Sequence, residues 1–256
     1  MRLSDGGILR LPAAALGRGN LAAIDLLAAP GRWALQFEQV LTAGECEQLL
    51  RGIYAGRGDW IANFDGIQFT LGRAYYTHLE QDREAEYFAQ AAASDATVER
   101  WAPTLQARMA ALMRVLLRAQ VAGRPGWCGA GVHIFPAGGL CALNGGDIHF
   151  DVEGLRDDEL ESGAPALTCV LMLQPPQSGG GLQVWDALYR GEGEEQISAL
   201  ALSAASAICH YQRGDLVVID SRRLHQIQPF GGPLDRVSAT IHAVRVANSE
   251  HWEVWF

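Results

Sequence analysis

The residues best suited to chemistry lie in the second half of the chain: His149-Phe150-Asp151, then His225, then Arg236 with Ser238 two positions on. Two imidazoles and one carboxylate can occupy one face of a metal ion and leave the opposite face open to oxygen and a second ligand. Alternate residues of an extended segment point to the same side, so His149 and Asp151 can reach one metal together. Arg236 and Ser238 share a strand face by the same rule, and a guanidinium beside a hydroxyl can bind a carboxylate, the guanidinium in bidentate fashion. The set reads as an oxygen-activating centre with a carboxylate-bearing cosubstrate.

The elements around these residues must bring them together. Asn144-Gly145-Gly146-Asp147 supplies a turn that places His149 and Asp151 on one side of an emerging strand. Asn144 helps to hold the cosubstrate or serves the turn alone; both readings stay open. Gly214-Asp215 opens an apolar strand over 216–219, and Ser221-Arg222-Arg223 delivers His225 to a strand start near a rim. Further short apolar runs at 132–135, 140–143, 166–173, 182–185, 207–211 and 237–246 are predicted strands. His133, His210 and His242 fall in such runs and read as hydrogen-bonded or barrel-lining residues, His133 being placed to face a substrate pocket.

The first 130 residues read differently. Two short extended pieces around 6–9 and 33–37 precede a helix start at Thr42-Ala43-Gly44-Glu45, a capping box with Leu41 as its hydrophobic staple. Strands are predicted within 60–76, a second helix over 82–93, and a third carrying Leu105, Met109, Leu112, Met113, Leu116 and Leu117 at helical spacing. Gly123 and Pro125 are read as ending that third helix, and the acidic stretch 157–161 and the 191–195 region as solvated loops. The expected fold is mainly β with flanking helices: a sandwich or barrel over 131–256, supported by helices and strands of 1–130, in one domain of 256 residues.

Composition narrows the function classes. A net charge of −9 and a pI near 5.2 exclude a nucleic-acid binder held by phosphate contacts. All 20 basic residues are arginine, so Schiff-base chemistry on a protein lysine is excluded and a fixed cation for a carboxylate must be arginine. Five cysteines with no close pair predict free thiols in a reducing, cytoplasmic setting. Asp5, Arg10 and Arg18 interrupt the N-terminal apolar runs before a signal-peptide core forms, and no stretch is long enough to cross a bilayer.

The ordered set His149-x-Asp151, His225, Arg236-x-Ser238 resembles the Fe(II)- and 2-oxoglutarate-dependent dioxygenase superfamily. The likeness extends to 166–173 followed by Gly179-Gly180-Gly181-Leu182, and to the run 214–219 ahead of His225. More weakly, 41–50 is similar to the helix that opens the prolyl-hydroxylase-like branch. The resemblance implies a double-stranded β-helix (jelly-roll) barrel in which His149, Asp151 and His225 bind Fe(II). Arg236 and Ser238 would then hold the distal carboxylate of 2-oxoglutarate, with one position left for O2. It further implies an Fe(IV)-oxo oxidant, formed with release of succinate and CO2, that hydroxylates or otherwise oxidises its substrate.

Departures refine the branch. Arg236 stands where prolyl-4-hydroxylase types commonly use lysine, and Asp151 is retained where carrier-dependent halogenases have Ala or Gly. The second arginine of the AlkB-like pattern would fall at His242. The expectation is a small-molecule oxygenase acting on an amino acid or a natural-product intermediate, monomeric or homodimeric, without nucleic-acid or membrane partners. Its rivals are a peptidyl hydroxylase of the same superfamily and a non-enzymatic jelly-roll binding protein.

Overall fold

The structure is a computed structural model and describes residues 3–4, 6–18 and 22–256; Asp5 lies outside the described residues. Strand alternation organises it. In Arg236–Arg245 the apolar set Val237, Ala239, Ile241 and Ala243 points one way, while Arg236, Ser238, Thr240 and His242 point the other. Ala166–Gln174 and Gly131–Phe135 flank this strand in antiparallel register, Ser238 lying opposite both His133 and Met172. The register shifts at Val237/Ser238, a bulge of the kind that re-aims side chains beside a site.

Among the described residues these strands are central to an eleven-stranded sheet. Leu216–Asp220, Ala34–Glu38 and Ile8–Pro12 extend it on one side, and Gln68–Leu71 with Ile61–Asn63 on the other. A second sheet joins Ser206–Cys209, Leu182–Leu188 and Arg223–Ile227. Met172, Val217 and Ile219 of the large sheet pack on Leu182 and Val184 of the small one. The arrangement is mainly β, with helices on the far face of the large sheet.

Those helices form where their apolar residues recur. In Leu105–Leu117, Leu105, Met109, Met113, Leu116 and Leu117 are buried, and they share one core with Leu167, Cys169, Leu171 and Ile241 of the sheet. Each such side chain contributes about 1.5–3 kcal/mol by burial, so Met113→Ala would cost about 2–5 kcal/mol once its cavity is included. Ala43–Ala55 adds Cys46, Leu49, Leu50 and Ile53 to the same core. Its start is the expected capping box: Thr42 Oγ1 accepts from the Glu45 amide at 3.2 Å, and the Glu45 carboxylate accepts from the Thr42 amide at 2.9 Å.

Several local expectations change. Residues 82–93 are not one helix but parts of two, Glu84–Ala89 and Ala91–Trp101, separated at Gln90, whose φ/ψ of −106/4 breaks the run. Leu140–Asn144 is a helical turn rather than a strand, because four apolar residues are too few to display a period. The helix Leu105–Leu117 ends at Arg118 in the left-handed region, well before Gly123 and Pro125, and Val121–Gly123 is itself a strand. Asp157–Glu161 is a helix where a solvated loop was expected, whereas the expected 191–195 loop holds over 191–193 and its last two residues begin the helix Glu194–Ser203. Among the described residues no helix is long and apolar enough to cross a membrane.

Candidate active site and metal centre

The polar face of the large sheet and the inner face of the small one enclose a cavity of about 490 Å³. His149, Asp151, His225, Arg236, Ser238 and Asn144 all line it. The structure thus brings together every residue singled out for the site.

His149 follows a turn at which Gly145 adopts φ +84°; a Cβ there would approach the Ile227 carbonyl to 2.7 Å, so only glycine fits. The segment is not a regular strand. His149 makes an isolated antiparallel bridge to His225, which lies in the middle of Arg223–Ile227 rather than at a strand start. The Asp151 amide donates to the Ser221 carbonyl at 2.8 Å, which fixes the backbone of the third residue.

The donor set has the chemistry of a metal centre. His149 Nδ1–H donates to the Asp147 carbonyl and His225 Nδ1–H to the Arg223 carbonyl, both at 2.8 Å. A carbonyl only accepts, so each Nδ1 carries a proton and each Nε2 is left with a lone pair, the usual outer-sphere arrangement of a metal-binding imidazole. The Nε2 atoms face Asp151 at 3.5 and 3.4 Å, and the three ligand atoms lie within 4.8 Å of one another. Two imidazole nitrogens and a carboxylate suit Fe(II) and leave other coordination positions free.

The electrostatics of the three are coupled. Burial opposes ionisation of Asp151, but the adjacent His225 and His149 outweigh it and hold the carboxyl well below its usual range. Burial brings His225 down to about 4. Burial works against His149 too, yet its hydrogen bond to Asp151 and that carboxylate's charge raise it to about 9. The histidines diverge because His149 has the hydrogen bond to Asp151 and its charge, 4.3 Å away ring to ring, lowers His225; a metal would displace the proton that His149 otherwise holds on Nε2.

Deeper in the cavity, Arg236 is only 2 % exposed. Its Nε donates to the Gly180 carbonyl and its NH1 to Ser238 Oγ, each at 3.2 Å, and the guanidinium lies 5.5 Å from the Phe135 ring and 5.3 Å from that of Tyr211. Gly179 and Gly180, both at positive φ, shape the turn that presents this carbonyl. No carboxylate of the described residues pairs with Arg236, and the buried Tyr211 hydroxyl lies close to its guanidinium without a well-aligned hydrogen bond among the described residues. A buried cation beside such a hydroxyl is the complement of a ligand carboxylate.

Tyr211 escapes sequence reasoning because nothing in its spacing ties it to a residue 25 positions later. Glu80, Glu153 and Phe64 line the cavity as well and carry no motif. His133, read from sequence as facing a pocket, does line it, and so does Tyr76; Trp185 packs with Phe150 and donates to the Ala201 carbonyl.

No family model matches the chain, and no curated protein sequence matches it. Solved structures do. An N-substituted L-amino acid dioxygenase from Burkholderia ambifaria AMMD, in complex with alpha-KG (2-oxoglutarate), matches with a TM-score of 0.57 at 16 % identity, over 91 % of this chain and 90 % of that one. A second structure of an N-substituted L-amino acid dioxygenase from that organism gives 0.56 at the same identity and coverage. The non-heme alpha ketoglutarate dependent epimerase SnoN from nogalamycin biosynthesis gives 0.51 at 16 % identity, over 89 % and 85 % of the two chains. At this identity the likeness speaks for architecture: the chain has the fold shared by these alpha-ketoglutarate-using dioxygenases and epimerase.

Proposed function

We propose that this protein is an Fe(II)- and 2-oxoglutarate-dependent oxygenase of a small molecule, and that residues 1–256 form a single dioxygenase domain with a double-stranded β-helix core. One observation carries the reading: a His-Asp-His donor set and a buried arginine without a carboxylate partner line the same cavity. His149, Asp151 and His225 would hold Fe(II), which together with 2-oxoglutarate and O2 would supply the oxidant, with succinate and CO2 as the products of the keto acid.

The chain's own groups prepare that chemistry. The Asp147 and Arg223 carbonyls orient the two imidazoles by accepting from Nδ1. Arg236 and Ser238 bind the distal carboxylate, and the Tyr211 hydroxyl beside them offers a further donor. Val170, Leu182, Ile219 and Ile227 line the cavity with apolar surface that keeps water from the cosubstrate. Asn144 lies at the end of its helical turn on the cavity lining, and its contribution to the cosubstrate site is the least defined. The retained carboxylate of Asp151 favours hydroxylation or a related oxidation over halogenation. A volume of about 490 Å³ is in the range of small-molecule sites. Five unpaired, buried cysteines support a reducing compartment, the cytoplasm.

The test is succinate release from 2-oxoglutarate with Fe(II), across a panel of small molecules, with Asp151→Ala as control. Substrate-stimulated release that Asp151→Ala abolishes is expected; release that survives it contradicts the role assigned to Asp151.

A further inference from the structure

The outer part of the cavity differs in charge from the inner part. With the proposed function as its basis, the inner charges close among themselves: Fe(II), Asp151, the two carboxylates of 2-oxoglutarate and Arg236 neutralise one another. What remains on the lining is acidic. Glu80, Asp147 and Glu153 border the cavity, and among the described residues none of their carboxylates is hydrogen-bonded or ion-paired to another side chain. Among the described residues Arg236 is the one guanidinium on the lining, and the chain has no lysine. Once the cosubstrate occupies Arg236, a substrate carboxylate has no fixed cation left to meet.

Two further features of the same cavity point to a ligand beyond the cosubstrate. His133, opposite Ser238 on the neighbouring strand, is 7 % exposed and lines the cavity, yet neither of its ring nitrogens has a hydrogen-bond partner among the described residues. A buried imidazole so placed lacks a polar partner that a ligand can supply. Beside it, the rings of Tyr76 and Phe64 line the cavity with centroids 6.5 Å apart. Gln68 donates to the Tyr76 hydroxyl at 2.6 Å, which fixes the ring at the cavity wall. Aromatic faces next to carboxylates are the usual surroundings of an ammonium group.

We propose that the substrate is a cationic amine rather than a free amino acid, its ammonium held by Glu80, Asp147 and Glu153 against the rings of Tyr76 and Phe64, with His133 meeting a second polar group. Electrostatic selection of this kind acts by excluding the wrong charge as much as by binding the right one.

The test compares matched probes, phenethylamine with 3-phenylpropionate and hexylamine with hexanoate, by ligand-observed NMR titration. It is run on the protein alone and on the protein held anaerobically with Fe(II) and 2-oxoglutarate. In the loaded protein each amine binds roughly tenfold or more tightly than its acid, a difference of about 1.4 kcal/mol. The double variant Glu80→Gln/Glu153→Gln loses that preference, while Asp157→Asn, on the exposed side of Asp157–Glu161, retains it. Acids binding as well as amines, no binding by either amine, or amine binding unchanged in Glu80→Gln/Glu153→Gln each overturns the proposal. A protein that takes up neither iron nor 2-oxoglutarate yet still selects amines through Glu80 and Glu153 removes the oxygenase reading and leaves the charge selection standing.

Discussion

The backbones of His149 and His225 hydrogen-bond to one another in both directions, His149 N–H to the His225 carbonyl at 3.1 Å and His225 N–H to the His149 carbonyl at 3.0 Å. Two residues 76 positions apart are thereby locked side by side by main-chain groups alone. The imidazoles project from a frame that does not depend on them.

Removing one imidazole should therefore spare the fold and lose the metal. His149→Ala is expected to keep the parent's circular dichroism and to melt within a few degrees of it, a change of less than about 1 kcal/mol for a half-exposed side chain. Its Fe(II) content after anaerobic loading and desalting should fall from about one per chain to background. Full iron retention would show that His149 is not a ligand.

Arg236 predicts opposite effects on stability and on binding. A buried guanidinium without a carboxylate is unfavourable until a ligand arrives. Arg236→Met should melt higher than the parent without 2-oxoglutarate and lose the thermal shift that 2-oxoglutarate produces. Arg236→Gln should raise the KM for 2-oxoglutarate roughly 10- to 100-fold, the range of about 1.5–3 kcal/mol for hydrogen bonds to a charged group.

Arg124 is the anchor of the segment after Asp151. Its fully buried guanidinium reaches Glu159 at 2.6 Å, Glu253 at 3.0 Å and the Gly154 carbonyl at 2.6 Å, between the rings of Trp127 and Trp255. Arg124→Ala leaves the buried Glu159 with only the exposed Arg156, whose guanidinium is 3.6 Å away and whose amide donates to it at 2.8 Å, and should cost about 3 kcal/mol in chemical denaturation. Because Gly154 is three residues from Asp151, the same variant should hold Fe(II) more weakly at temperatures where it is still folded. Arg124→Lys should not restore stability, since an ammonium gathers its three donors on one atom and cannot reach the separate acceptors that Nε, NH1 and NH2 of the guanidinium reach.

How much of this was legible in sequence depends on what holds each element. The strands that line the site carry period-two alternation, and Ser238, Thr240 and His242 follow Arg236 on the face that alternation assigns them. The helix Leu105–Leu117 is equally plain from its Met/Leu spacing. Asp157–Glu161 was not, because its anchor is the Glu159–Arg124 ion pair between residues 35 apart rather than an apolar stripe. Leu140–Asn144 is too short to reveal a period. The metal-site candidates could be named because their types are rare and ordered, whereas Tyr211, Glu80 and Phe64 reach the site only through the fold.

The capping box predicts a pH effect remote from the site. Hydrogen bonds from Arg108 and from Thr42 lower Glu45 from 4.5 to about 2. A carboxyl depressed in the folded state stabilises it fully above about 4.5, and that contribution disappears as pH falls towards 2. The group is exposed and solvent-screened, so the contribution stays below about 1 kcal/mol. Glu45→Gln should melt slightly lower than the parent at pH 7, and the two melting curves should converge near pH 2. A gap that persists at pH 2 would assign the effect to packing instead.

The most direct test of the account is equilibrium binding of 2-oxoglutarate under anaerobic conditions, with and without Fe(II), to the parent, Asp151→Ala and Arg236→Gln. The account predicts one 2-oxoglutarate per chain, bound tightly only when Fe(II) is present, and weakened at least tenfold by either substitution. Binding indifferent to iron, to Asp151 and to Arg236, or no binding at all, would contradict it.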